Sequence, residues 1–179
     1  MKKLRTILFA ITCTFVIALT TLLPVTAIDD AFDLGKNLYS TNYIFLDADT
    51  GQVLSAKKQD EQISIASLTK MMTVLLAIEN SSSLNQTVTI TDEMIDGLYE
   101  EQASVAGYVT GDTATVLDLC YAAAIPSAAD AANALAIQIG GSFEKFYQMM
   151  NDKAAQLGMN HTVFKSAHGL DREGQYSTV

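Results

Sequence analysis

The spacing of hydrophobic and polar positions changes rhythm several times along this chain. From Tyr43 to Lys57 two short β-branched and aromatic runs flank Asp49-Thr50-Gly51-Gln52, the signature of two strands joined by a glycine-containing turn. From about Ser67 to Asn80 apolar residues fall on nearly every side, which predicts a helix in the middle of a fold. Ser81-Ser82-Ser83 reads as a loop, Thr87 to Ile90 as a short strand, Thr91-Asp92-Glu93 as a helix start, and Gly107 and Gly111-Asp112 as turns. Thr115 to Asp118 has the form of a capping box opening a helix that Pro126 stops near Ile125. A further helix is expected from about Ala128 to Ile139, ending at Gly140-Gly141. Ser142 then N-caps a helix carrying Phe143, Phe146, Tyr147, Met150 and Leu157 on one face, with Gly158 as its C-cap. The tail from Val163 to Leu170 is extended and enters a loop. The pattern is a hairpin followed by an all-helical middle, and two strands alone do not make a stable sheet in water, so the sequence looks unfinished.

The first 27 residues stand apart. Met1-Lys2-Lys3-Leu4-Arg5 is basic, Ile7 to Leu23 is mostly apolar, and Val25-Thr26-Ala27 places small residues at a cleavage position, so 1–27 is read as a signal peptide and Ile28 as the mature start. An uncleaved anchor is the competing reading, but the apolar run is at the short end for spanning a bilayer. The protein would then be exported to the cell envelope or periplasm. The chain carries a net charge of −9, and −12 without the leader, which holds three of the eleven basic residues and none of the acidic ones. Such a surface repels phosphate backbones, and no basic stripe offsets it, so nucleic acid is not an expected partner. With Cys13 in the leader, Cys120 is the sole mature cysteine and reads as a buried, inert thiol. His161 and His168 are the only histidines, and neither has a partner at a metal-ligand spacing, so no metal is expected.

Candidate chemistry begins at Ile65-Ala66-Ser67-Leu68-Thr69-Lys70. Residues three apart share a helix face, so Lys70 can reach the Ser67 hydroxyl, and a serine with an adjacent base is an activated nucleophile. Burial of that helix penalises an ammonium and makes Lys70 a usable base. Ser55-x-x-Lys58 and Ser142-x-x-Lys145 match the same pattern, but Ser55 lies in a strand, where positions three apart face opposite ways, and Ser142 is explained as a cap. Spacing alone leaves open that Ser67 is a helix-start serine and Lys70 a snorkelling surface lysine. Ser127-x-x-Asp130 following Pro126 is explained by helix capping without chemistry. A triad of His168, Asp171 and a distant serine lacks any Gly-x-Ser-x-Gly elbow and is set aside.

Taken together, these residues resemble the low-molecular-mass penicillin-binding proteins, specifically the serine D-alanyl-D-alanine carboxypeptidases of the peptidase S11 type. Besides the Ser67-x-x-Lys70 block, the resemblance includes Ser104-Val105-Ala106-Gly107, Pro126-Ser127 to Ala136, Met149 to Ala154, Leu157-Gly158-Met159, His168-Gly169-Leu170-Asp171 and Tyr176-Ser177-Thr178. It implies an α+β, β-lactamase/transpeptidase-like fold: an N-terminal hairpin of an antiparallel sheet, an all-helical subdomain, and C-terminal strands missing from residues 28–179. It also implies Ser67 as acylated nucleophile, Lys70 as proton acceptor and Ser127 as proton relay to the leaving group, with no metal or organic cofactor needed. The implied substrate is a peptidoglycan stem peptide ending in D-Ala-D-Ala, and β-lactams would be inhibitors acylating the same serine.

Two departures qualify that expectation. The family's Ser-x-Asn motif has an amide at its third position, where this chain has Ala129; a lost hydrogen bond to a charged group costs about 1.5 to 3 kcal/mol, slowing acylation roughly tenfold to a hundredfold. The Lys-Thr-Gly motif is absent, so the chain is expected to be the front part of a longer domain, attached to the membrane, if at all, through a missing C-terminal segment. In that case it is acylated by penicillin slowly or not at all. The rival readings are a catalytically impaired peptidoglycan-binding module or truncated pseudoenzyme, and a β-lactamase.

Overall fold

A computed structural model describes residues 38–179. The leader assigned to 1–27, Cys13 and the segment up to residue 37 lie outside the described residues. The chain divides into two compact units, one up to Lys57 and one from Lys58 onward.

The described part of the first unit is the expected hairpin. Strands β1 (Tyr43–Leu46) and β2 (Val53–Lys57) pair antiparallel, with a register irregularity between Phe45 and Leu46. Asp47 builds the turn: one carboxylate oxygen accepts from the Asp49 and Thr50 amides and the Thr50 hydroxyl, which holds its pKa below the usual carboxylate value. Gly51 supplies the left-handed step (φ 72°) that turns the following residue back, so that the Asp47 amide donates to the Gln52 carbonyl at 2.9 Å. Ser55 faces the Tyr43 hydroxyl across the ladder, 3.2 Å away, which accounts for it without Lys58.

In the second unit a 3₁₀ turn at Ala66–Leu68 leads into α1 (Thr69–Asn80). Strand β3 (Thr87–Thr89) pairs antiparallel with β4 (Thr113–Thr115), and α2 (Asp92–Ile95) lies between them in sequence. Three helices follow: α3 (Val116–Ala124), α4 (Ala129–Gly140) and α5 (Phe143–Gln156). The caps fall as the sequence dictates. Thr115 and Asp118 form the capping box of α3, the Ser142 hydroxyl accepts from the Lys145 amide at the head of α5, and Gly141 ends α4 in the left-handed region. The tail is tied back by bridges of Val163 to Tyr176 and of Ile63 to Ser177.

The middle of this unit is α4, not the helix at 69–80. Helices α1, α2, α3 and α5 all contact α4, and Ala131, Ala132, Ala134 and Ala136 are fully buried along it. Small side chains allow close helix approach, so an alanine-rich helix can accept several neighbours. Helix α1 packs through Met72, Thr73, Leu76 and Ala77 while Met71 stays 71 % and Ile78 53 % exposed. Cys120 is buried as expected, and burial pushes its thiol pKa up.

Candidate active site

The site is built where the 3₁₀ turn, the start of α4 and the 166–170 loop meet. Ser67 lies in the turn rather than in the first turn of α1, and Ala66 before it takes a left-handed conformation (φ 43°). This backbone state is costly for a residue with a Cβ and is held by its surroundings. Lys70 lies in the first turn of α1 and is buried, with its Nζ 3.3 Å from the Ser67 hydroxyl and 2.6 Å from the His168 carbonyl oxygen, to which it donates. Burial lowers the Lys70 pKa, because the desolvated ammonium is the disfavoured form.

Ser127 corrects the capping reading. The N-cap of α4 is Ala128; Ser127 precedes it at φ 62°, and its hydroxyl donates to Ser67 Oγ at 2.8 Å. Asp130 turns elsewhere. Its buried carboxylate accepts from the Ala106, Gly107, Tyr108 and Ala131 amides at 2.9–3.1 Å, while the Ala129 amide donates to the Ser104 carbonyl at 2.7 Å. Residues 104–108 are thereby bound to the head of α4, and the adjoining Gln102, Ala103 and Ser104 form one wall of a cleft of about 140 Å³ that also holds Ser67, Lys70, Ser127 and Ala129. A wider apolar hollow of about 530 Å³ lies against the same hydroxyls, lined by Leu68, Met71, Val74 and Ala123.

The opposite wall depends on Gly169. At φ 87° its α-carbon passes so close to the turn that an added Cβ would lie 1.9 Å from the Ala66 carbonyl oxygen. The Gly169 amide donates to Ser166 Oγ, and the Thr73 hydroxyl donates to the Ala167 carbonyl at 2.6 Å. This fixes the His168 carbonyl over Lys70. The His168 ring is buried and its Nδ1 accepts from the Leu170 amide. Burial first, then the Arg172 and Lys70 charges, push its pKa down to about 4, so the ring is neutral at pH 7. Asp171 accepts from Ser64 at 2.5 Å. With Nδ1 occupied by a backbone donor, His168 and Asp171 do not form the triad arrangement. Among the described residues no cluster of side chains suits a metal ion.

A serine whose Oγ meets both a buried lysine amine and a second serine hydroxyl is equipped for acyl transfer. The model of the D-alanyl-D-alanine carboxypeptidase family, peptidase S11, matches residues 30–179. The chain belongs to this family. Among curated S11 relatives, it is 37 % identical over 140 residues to D-alanyl-D-alanine carboxypeptidase DacF of Bacillus subtilis, covering 76 % of this chain and 35 % of that protein. It is 36 % identical over 143 residues to D-alanyl-D-alanine carboxypeptidase DacC of Escherichia coli, covering 76 % and 36 %. A mutant of the Streptomyces K15 DD-transpeptidase superposes with a TM-score of 0.74 at 33 % identity, covering 78 % of this chain and 56 % of that one. Penicillin-binding protein 6B from Escherichia coli superposes at 0.71 with 32 % identity, covering 76 % and 45 %. This S11 chain therefore spans about a third of the length of the curated relatives it matches. Its α+β architecture of small antiparallel sheets and packed helices agrees with these DD-peptidase neighbours.

Sequence reasoning brought Ser67 and Lys70 together and placed Ser127 beside them only through the family resemblance. It missed the His168 carbonyl, because a backbone oxygen carries no residue signature. It also missed the Asp130 clamp, since an aspartate in a first helical turn looks like a capping residue.

Proposed function

We propose that this chain carries the nucleophile half of a serine-type D-Ala-D-Ala carboxypeptidase that removes the terminal D-Ala from peptidoglycan stem peptides. The observation that carries the reading is the contact set at Ser67 Oγ, with the Lys70 amine at 3.3 Å and the Ser127 hydroxyl at 2.8 Å. Burial disfavours the Lys70 ammonium; in its neutral form, with one N–H engaged on the His168 carbonyl, its lone pair takes the Ser67 proton. Ser67 Oγ then attacks the penultimate D-Ala carbonyl. The Ser67 backbone N–H, in the first turn where helical amides lack an intrahelical acceptor, is the donor assigned to the developing oxyanion. Ser127 passes the proton to the departing D-Ala nitrogen, and water releases the acyl group from Ser67. β-Lactams would acylate the same oxygen. Export to the cell envelope, directed by residues 1–27, is part of this reading because the substrate lies outside the cytoplasm.

The test is release of free D-Ala from a synthetic peptide ending in D-Ala-D-Ala. The expected result is slow release by the purified protein, lost in Ser67→Ala and Lys70→Ala and reduced in Ser127→Ala. Release that persists in Ser67→Ala would overturn the assignment.

A further inference from the structure

Most polar groups in the 140 Å³ cleft are already spent on one another. Ser67, Ser127, Lys70 and the His168 carbonyl form one connected set, and Ala129 contributes only a methyl group. Gln102 lines the same cleft, and its carboxamide makes no hydrogen bond within the described residues. Its backbone is left-handed (φ 55°), a conformation unfavourable for a non-glycine residue that persists only where neighbours over-determine it. The neighbours do so here. The Glu101, Gln102 and Ala103 amides donate to the Gly97, Tyr99 and Leu98 carbonyls at 3.1, 3.0 and 2.9 Å. Glu101 is held by both oxygens on Arg172 at 2.8–2.9 Å, and the residues just beyond are bound to α4 through the Ser104 carbonyl and Asp130.

We infer that the Gln102 carboxamide is a substrate-binding group, pairing with a peptide amide on the acyl side of the scissile bond. A carboxamide offers two donors and an acceptor, which matches the N–H and C=O of a peptide and none of the charged ends of the substrate. Position 129 presents no such group, so the 101–104 turn, joined to it by the Ala129 amide on the Ser104 carbonyl, supplies one from beside it. The inference rests on the acyl-transfer reading of Ser67.

The test compares acylation of the whole protein by two probes, followed as intact mass against time. Benzylpenicillin carries a side-chain amide on the acyl side of its reactive carbonyl, and 6-aminopenicillanic acid lacks it. Gln102→Gly, which accepts the left-handed backbone, should slow benzylpenicillin about tenfold, the loss of one hydrogen bond, and leave 6-aminopenicillanic acid unchanged. Gln102→Asn, which keeps an amide and tolerates this backbone, should recover part of the difference. Equal slowing of both probes, or of neither, overturns the role of Gln102 while leaving Ser67 as nucleophile. A wild-type protein that neither probe acylates overturns the acyl-transfer reading and this inference with it.

Discussion

Replacing Gly169 by alanine tests the link between the 166–170 loop and the lysine most sharply. The added methyl would meet the Ala66 carbonyl oxygen at 1.9 Å, the Ala66 carbonyl carbon at 2.5 Å and Thr69 Oγ1 at 2.9 Å. The first two are backbone atoms of a turn already strained at Ala66, so they cannot swing aside as a side chain would. Left-handed backbone costs an alanine about 1–2 kcal/mol, and forced overpacking adds about 1–3 kcal/mol, giving a loss of about 2–5 kcal/mol. Gly174→Ala is the internal control. It has a similar φ of 79°, but its Cβ would find only Lys165 Cε at 3.7 Å, so it should lose the conformational part alone. Urea unfolding of both variants at pH 7 isolates the close approach as their difference, about 1–3 kcal/mol. The same shift should lift the His168 carbonyl off Lys70 and slow penicillin acylation at least tenfold in Gly169→Ala only. Equal midpoints for the two variants, with acylation at the wild-type rate, would refute the argument that this glycine positions Lys70.

Other outcomes follow from single interactions. His168 is held neutral with its pKa lowered from 6.5 to about 4, so below pH 6.5 the unfolded chain takes a proton the folded one refuses. Stability should fall by roughly 3 kcal/mol between pH 7 and pH 4, and His168→Gln should flatten that slope; an unchanged slope in the variant's urea midpoints would contradict it. Asp130→Asn leaves one oxygen and an NH₂ facing four backbone donors, so thermal or urea unfolding should show a loss of about 1–3 kcal/mol, and faster proteolysis between 102 and 108. Thr115→Ala removes the cap that accepts from Asp118 at 3.0 Å and should cost about 1 kcal/mol with no effect on acylation.

The legible parts of this molecule were those encoded locally. The 43–57 hairpin, the Thr115 capping box and the Ser142 cap each place their signal within a few residues of where it acts, and the structure realises all three. Strand β4 escaped because Thr113-Ala114-Thr115 is too short to show alternation and exists only through its pairing with 87–89. The order of burial between α1 and α4 was invisible to hydropathy. Alanine scores weakly on any scale, yet its small size puts α4 at the centre. In the site, Ser67 and Lys70 are three apart and could be paired on paper. Ser127 joins them across 60 residues, and the His168 carbonyl reaches Lys70 across 98. The serine contact involves two left-handed non-glycine positions, Ala66 next to Ser67 and Ser127 itself, whose conformations run against local preference and arise from tertiary packing.

Every role proposed for this site turns on Ser67 Oγ becoming the acylated atom. Incubating the purified protein with benzylpenicillin for hours, then measuring intact mass and mapping the modified peptide, addresses it directly. One slow, stoichiometric adduct is expected on the peptide containing Ser67, absent in Ser67→Ala and strongly reduced in Lys70→Ala. An adduct on any other residue, or none on the wild-type protein while it remains folded, would contradict it.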